Sequence, residues 1–262
     1  MSSCQLASGG ELEAACPQAI KNSRFLVQKM DMFNIYFHIA IMKNWSLSFD
    51  IVNNALIDSG ILKYCDKIIY SVNGDYSEFT KLKQSQIQDN VLFLASNSFE
   101  EQFEFPTLNI LKKDSSNENI KALYLMNKGA STDFNQPIKD WIETMLHFNV
   151  YQYENCLNLL DEYDAVGVDY HENPYKHFSG NFFWTKSSHV KKLPYLYWED
   201  WRNYAPLGEE RHAAEAWVCK PQGKYFSLHN TGIPVCERHL HEYPSSNYRG
   251  SREIPRSLVA ID

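Results

Sequence analysis

Ala122-Leu123-Tyr124-Leu125-Met126-Asn127-Lys128-Gly129-Ala130-Ser131 is the stretch whose reading decides the fold. Its apolar residues run on without alternation and stop at Asn-Lys-Gly. A strand buried on both faces gives that pattern, whereas a strand with one wet face would alternate. Three earlier runs have the same character: Asn34 to Ile41, Lys67 to Val72 and Val91 to Ala95. Helical patterns separate them. Ser46 to Leu62 places Phe49, Val52, Leu56 and Ile57 on one face with Gly60 near its end, Tyr76 to Gln86 is short, and Pro106 opens a helix through Lys112. Short apolar strands alternating with helices predict an α/β fold with a mostly parallel central sheet flanked by helices.

Ligands of such sheets bind outside the carboxyl ends of the strands. The segments to inspect are therefore His38 to Trp45, Asn73-Gly74-Asp75, Ser96-Asn97 and Asn127 to Ser131, all rich in small polar residues. The second half begins with a long helical stretch, Pro137 to Glu162. It continues with strands at Asp164 to Tyr170 and in His177 to Pro194, a helix over Glu209 to Val218, and a last strand at Tyr225 to His229. Residues 1 to 30 show little periodicity and are expected to form a tail or short helix outside a single domain spanning 31–262.

The bulk properties restrict the function. At 262 residues the chain can bury a sizeable core, and its 14% aromatic content suits both a core and stacking platforms for sugars or bases. A net charge of -7 argues against a general nucleic-acid binder. The chain has no run of about 18 apolar residues and no secretory signal pattern, so no transmembrane segment is expected. A cytoplasmic setting follows as the expectation, with room left for peripheral membrane association. Its six widely spaced cysteines outline neither a metal knuckle nor a disulfide framework. GxGxxG, the P-loop, GxSxG and HExxH are all missing, which weakens dehydrogenase, NTPase, serine hydrolase and zinc protease readings together.

Several local features carry candidate chemistry, each beside a plainer structural reading. Asn73-Gly74-Asp75 is either a turn or a place where a carboxylate meets a nucleotide base or ribose. Asn127 to Ser131 is either a surface turn or a site where Lys128, Gly129 and Ser131 face a diphosphate. Arg211 and Glu215 share a helix face as an ion pair, or Glu215 is a general base at the core edge. His212, His229, His239 and His241 with Glu215 and Glu237 contain ligand types for a metal, but local spacing fixes no trio. In His177 to Pro194, Phe182, Phe183 and Trp184 read as a strand alternating between core and crevice. Ser179-Gly180-Asn181 forms its mouth, where Gly lets a backbone approach a sugar and Asn offers donor and acceptor.

Taken together, the strand ends, the Ser179-to-Trp184 element and the strand closing on Asn127-Lys128-Gly129 resemble a family of GT-A type glycosyltransferases from bacteria and large viruses. The likeness spans about Phe33 to Gly232. It implies a Rossmann-like GT-A domain that moves a sugar from a nucleotide-diphospho-sugar to a glycan hydroxyl in surface polysaccharide synthesis. By position, His38, Asn73, Asp75, Lys128, Gly129 and Ser131 would bind the donor. Ser179, Gly180, Asn181, Trp184 and Arg211 would bind sugar or acceptor, and Glu215, with Asp169 as second choice, would be the base. Many GT-A enzymes carry an Asp-x-Asp motif that holds Mn²⁺ or Mg²⁺ at the fourth strand end. Here that place reads Met126-Asn127-Lys128, which puts a divalent cation in doubt and offers Lys128 as the positive charge instead. Where this family has His-Thr-Lys-Gly, Lys128 and Gly129 match and Asn127 departs. The rival expectations are a non-catalytic nucleotide or carbohydrate binder of the same fold, and a metal-dependent hydrolase using the C-terminal histidines. Donor sugar, acceptor and oligomeric state are not set by the sequence.

Overall fold

A computed structural model describes residues 33–83, 91–96, 103–203, 205–206 and 210–250. The expected N-terminal tail, the end of the helix read to Gln86, Asn97 and Glu209 lie outside the described residues.

Four parallel strands form the first half of the sheet, as the apolar runs predict. They are β1 (Phe33–Ala40), β2 (Cys65–Asn73), β3 (Val91–Ser96) and β4 (Lys121–Met126). The connecting helices are α1 (Trp45–Asp58), α2 (Tyr76–Lys83) and α3 (Phe105–Asn117). β1 pairs in parallel with both β2 and β4, and β2 with β3. Because β1 is central and covered on both faces, Phe33, Ile35, Tyr36, Phe37 and Ile39 are all fully buried. On one face Phe37 stacks on Phe49 of α1, with Tyr70 and Phe79 edge-on to Phe49. On the other, Tyr36 joins Leu108 and Leu111 of α3. Each such side chain contributes roughly 1.5–3 kcal/mol by leaving water.

The second half holds α4 (Gln136–Leu146), α5 (Tyr153–Leu159), β5 (Ala165–Gly167), β6 (Tyr170–His171), β7 (His177–Phe178), β8 (Phe183–Lys186), α6 (Ser187–Val190), α7 (Glu210–Trp217) and β9 (Tyr225–Ser227). The main sheet runs β3-β2-β1-β4-β8-β5-β9, and β6 and β7 form a separate hairpin. β8 is antiparallel to both β4 and β5, while β5 and β9 are parallel. The α/β architecture with a mostly parallel sheet thus holds, with one reversed strand inside it. That reversal has a consequence for function. The amino end of β8, where Ser179-Gly180-Asn181 sits, shares an edge with the carboxyl ends of the other strands.

Two expected elements are shorter than the sequence pattern suggests. The stretch Pro137 to Glu162 is broken by a π-helical turn at His147–Tyr151 between α4 and α5. The wide turn leaves the Asn149 carbonyl to accept the Trp184 indole N–H at 2.8 Å. The strand expected from Asp164 to Tyr170 ends at Gly167, and Asp169 turns the chain at φ 50°. Gly167 is required there: a Cβ would lie 2.7 Å from the Phe178 ring and 2.9 Å from the Phe182 carbonyl oxygen. Among the described residues no helix is long and apolar enough to cross a membrane.

Candidate active site at the carboxyl edge of the sheet

β1 leads on to β2 and β3 on one side, and β4 starts the other half of the sheet. The order reverses between β1 and β4, the kind of switch point at which open α/β sheets bind ligands. Asn127 splints the two strand ends there. Its Nδ2 donates to the Ala40 carbonyl and its Oδ1 accepts from the Ala40 N–H, each at 2.9 Å. The chain then turns through Gly129 at φ 85°, where a Cβ would sit 2.7 Å from Ile138 Cγ2. This turn presents Lys128, whose ammonium lies 4.3 Å from the centroid of the Trp141 ring of α4. A cation on an indole face is held in place without a counter-ion.

Opposite stands the Ser179-Gly180-Asn181 loop. Gly180 has φ 83° and packs so tightly that a Cβ would meet Met145 Sδ at 2.4 Å and Trp141 Nε1 at 3.0 Å. Asn181, also at positive φ (59°), donates from Nδ2 to Glu104 Oε2. Trp141 Nε1, Ser179 Oγ and Asn181 Oδ1 are buried with no hydrogen-bond partner among the described residues. Unused polar capacity of this kind calls for an explanation in a native fold.

Glu104 precedes α3 and receives a second hydrogen bond from Tyr124 Oη at 3.1 Å. It is half-buried. Desolvation, with the neighbouring Glu215 carboxylate adding to it, pushes its pKa up to about 7 against the opposing pull of Lys128, Asn181 and Tyr124. Glu215, on α7, accepts a 2.7 Å hydrogen bond from Tyr175 Oη. Lys128 and Glu215 therefore both act on the Glu104 carboxylate. Sequence reasoning singled out Lys128, Asn181 and Glu215 but missed Glu104, Tyr124, Trp141 and Tyr175. Glu104 sits in an acidic run before Phe105-Pro106, which reads as a solvated helix start. Only the fold sets it against Asn181.

Other expected site residues take different positions. His38 is buried, bonds through Nδ1 to Thr107 Oγ1 at 2.9 Å, and desolvation pushes its pKa down to about 3. It is a neutral strut beneath the crevice. Asn73 is buried and donates to the Phe103 carbonyl. Asp75 is exposed at the start of α2, where its Oδ1 accepts from the N–H and hydroxyl of Ser77; these bonds hold its carboxyl below the usual range. The turn reading of that segment therefore describes its contacts. Ser131 and Arg211 are exposed. Asp169 has both carboxylate oxygens on Thr231, with bonds of 2.6 to 3.1 Å, so its contacts are those of a loop anchor. Trp184 does not alternate toward the crevice. It is fully buried and edge-on to Phe33, because both neighbours of β8 and the π turn enclose it.

The fourth strand end does not suit a divalent cation. Met126 and Lys128 are poor ligands for a hard cation, and the Asn127 amide is fully engaged. The C-terminal histidines do not converge either: His229 stacks on Phe148, while His241 meets the exposed Glu237 at 3.2 Å. Among the described residues no three His, Cys, Asp or Glu side chains gather to hold a metal ion.

Together these features define an α/β protein with a mostly parallel sheet and charged side chains gathered at its switch point. The chain belongs to the family described as domain of unknown function DUF8361, whose profile matches residues 33–221. No match to a curated protein is found. Among solved structures, the chain is similar to 4-diphosphocytidyl-2C-methyl-D-erythritol synthase from Anaerococcus prevotii (13% identity, 79% of this chain and 90% of that one, TM-score 0.42). It is also similar to a Desulfovibrio desulfuricans protein provisionally assigned as a nucleotide-diphospho-sugar transferase (9%, 77% and 81%, TM-score 0.38). A third similar structure is HddC from Yersinia pseudotuberculosis (12%, 80% and 96%, TM-score 0.38).

Proposed function

We propose that this protein is a glycosyltransferase that moves a sugar from a nucleotide-diphospho-sugar to a hydroxyl of a glycan acceptor, in the cytoplasm and in the service of surface polysaccharide synthesis. The observation that carries this reading is the placement of Lys128 at the β1/β4 switch point, its ammonium over Trp141 and near enough to Glu104 to act on that carboxylate. A diphosphate lying across the strand ends would meet that ammonium, which stabilises negative charge as the leaving group departs. The sugar would lie toward Ser179-Gly180-Asn181, whose unused donor and acceptor atoms suit hydroxyl groups. A crevice carboxylate then removes the acceptor proton as the hydroxyl attacks C1 and the C1–O bond to diphosphate breaks. Of the two expected from sequence, Glu215 accepts one hydrogen bond, from Tyr175, and acts on Glu104, whereas both oxygens of Asp169 are taken by Thr231. Lys128 supplies the positive charge, and no step is assigned to a metal ion.

The test is a melting screen with UDP-, GDP- and dTDP-sugars, each with Mn²⁺ or with EDTA. A donor at about 100 times its Kd adds roughly 2.7 kcal/mol of apparent stability. At least one donor is expected to raise Tm by several degrees, in EDTA as well as in Mn²⁺. No shift with any donor would defeat the reading. A shift without measurable transfer to any acceptor would favour a non-catalytic binding module of the same fold.

A further inference from the structure

Glu104 has the geometry of a proton carrier, although no sequence motif marks it. Both hydrogen bonds donated to it, from Tyr124 and Asn181, land on Oε2. Oε1 takes none among the described residues and is not sealed from solvent. One oxygen is thus fixed by two donors on different elements, β4 and the loop before β8, while the other keeps its acceptor capacity. The side chain is set on the first residue before a 13-residue helix, a rigid mounting. The charged groups facing it are Glu215 from α7 and Lys128 from the β4 end, with the Tyr124 phenol beside it. Glu215 is held less firmly: its Oε2 accepts from one donor, Tyr175, where Glu104 Oε2 accepts from two.

We propose that Glu104 is the general base of the transfer. The assignment rests on the transferase reading. In the step, Glu104 Oε1 takes the proton of the acceptor hydroxyl. The hydroxyl oxygen bonds to C1 of the donor sugar, and the C1–O bond to the diphosphate breaks with its electron pair leaving on the diphosphate, beside Lys128. The products are a glycoside, a nucleoside diphosphate and protonated Glu104, which returns its proton to water. A carboxyl poised at about 7 suits this duty at neutral pH, when correct ionisation and proton affinity are both available.

The experiment compares the full chain with Glu104→Gln and Glu215→Gln. The donor is the nucleotide sugar that shifts wild-type melting, the acceptors are water and a panel of hexoses, and the readout is nucleoside diphosphate release from pH 5 to 9. Glu104→Gln is expected to keep the donor-induced Tm shift but release diphosphate at least about 100-fold more slowly. The wild-type rate should rise about tenfold per pH unit below about 7 and then level, and the rise should be absent in the variant. In Glu215→Gln that rise should move to lower pH, since removing a neighbouring negative charge lowers the pKa of Glu104. Donor binding together with wild-type turnover in Glu104→Gln overturns the assignment alone. If no donor binds the wild type, the transferase reading falls and takes the assignment with it.

A second readout needs no ligand. The carboxyl of Glu104 has a folded pKa raised above its unfolded value, so its contribution to stability is present below the unfolded pKa and lost as pH rises through about 7. Glu104→Gln should therefore gain in Tm relative to wild type between pH 5 and pH 8. A difference that stays constant over that range would show that Glu104 does not titrate there and would overturn the proposal.

Discussion

Asn127 shows how one side chain can serve fold and site together. Its amide occupies both the donor and the acceptor of Ala40, so it fixes the spacing of β1 and β4 where Lys128 emerges. Asn127→Ala leaves those backbone groups unpaired, at a cost of about 1–3 kcal/mol for each that stays buried. Chemical denaturation should show that loss in the midpoint with an unchanged slope. His38 gives a prediction of opposite origin. It stays neutral in the fold until about pH 3, whereas an unfolded histidine protonates near 6.5. Its folded pKa is depressed, so the unfolded state binds the extra proton as pH falls. Stability should drop by up to about 1.4 kcal/mol per pH unit between 6.5 and 3. A His38→Asn variant should show a flatter acid limb in a pH series of denaturation curves.

At the scale of elements, legibility followed how local the cause was. The strands β1 to β4 were readable because two-sided burial leaves a continuous apolar run, and α4 because Asn135 and Pro137 mark its start, with Asn135 accepting from the Ile138 N–H. The reversal of β8 was not, since a buried strand has the same residues in either direction. Nor was the π turn, whose Asn149 carbonyl is taken by the distant Trp184. The same distinction explains the site. Lys128 and Ser179-Gly180-Asn181 lie beside strand ends and could be located from them. Glu104 acquires its role from Asn181, 77 positions away, and Trp184 lost its expected role because β4, β5 and the π turn close over it. Gly167 tests how tightly β5 and β7 meet. Gly167→Ala forces a Cβ into the Phe178 ring and the Phe182 carbonyl, and overpacking of this kind costs about 1–3 kcal/mol. Thermal melting should register it, with less effect from alanine at Gly60, where nothing lies within 4 Å of a Cβ although φ is 72°.

For the molecule as a whole, sheet order and strand direction bring distant segments to one edge. The ends of β1, β2, β4, β5 and β9 and the beginning of β8 all lie there, with α3 and α7 adding Glu104 and Glu215. We propose that this edge binds a nucleotide sugar with Lys128 against the diphosphate, in place of a metal ion. Calorimetric titration of wild type and Lys128→Met with the donor selected by the melting screen, in EDTA throughout, tests it most directly. Wild type is expected to bind without metal, and the variant at least about tenfold more weakly, about 1.4 kcal/mol. Equal affinity in the two proteins, or binding that appears only when Mn²⁺ is restored, would contradict it.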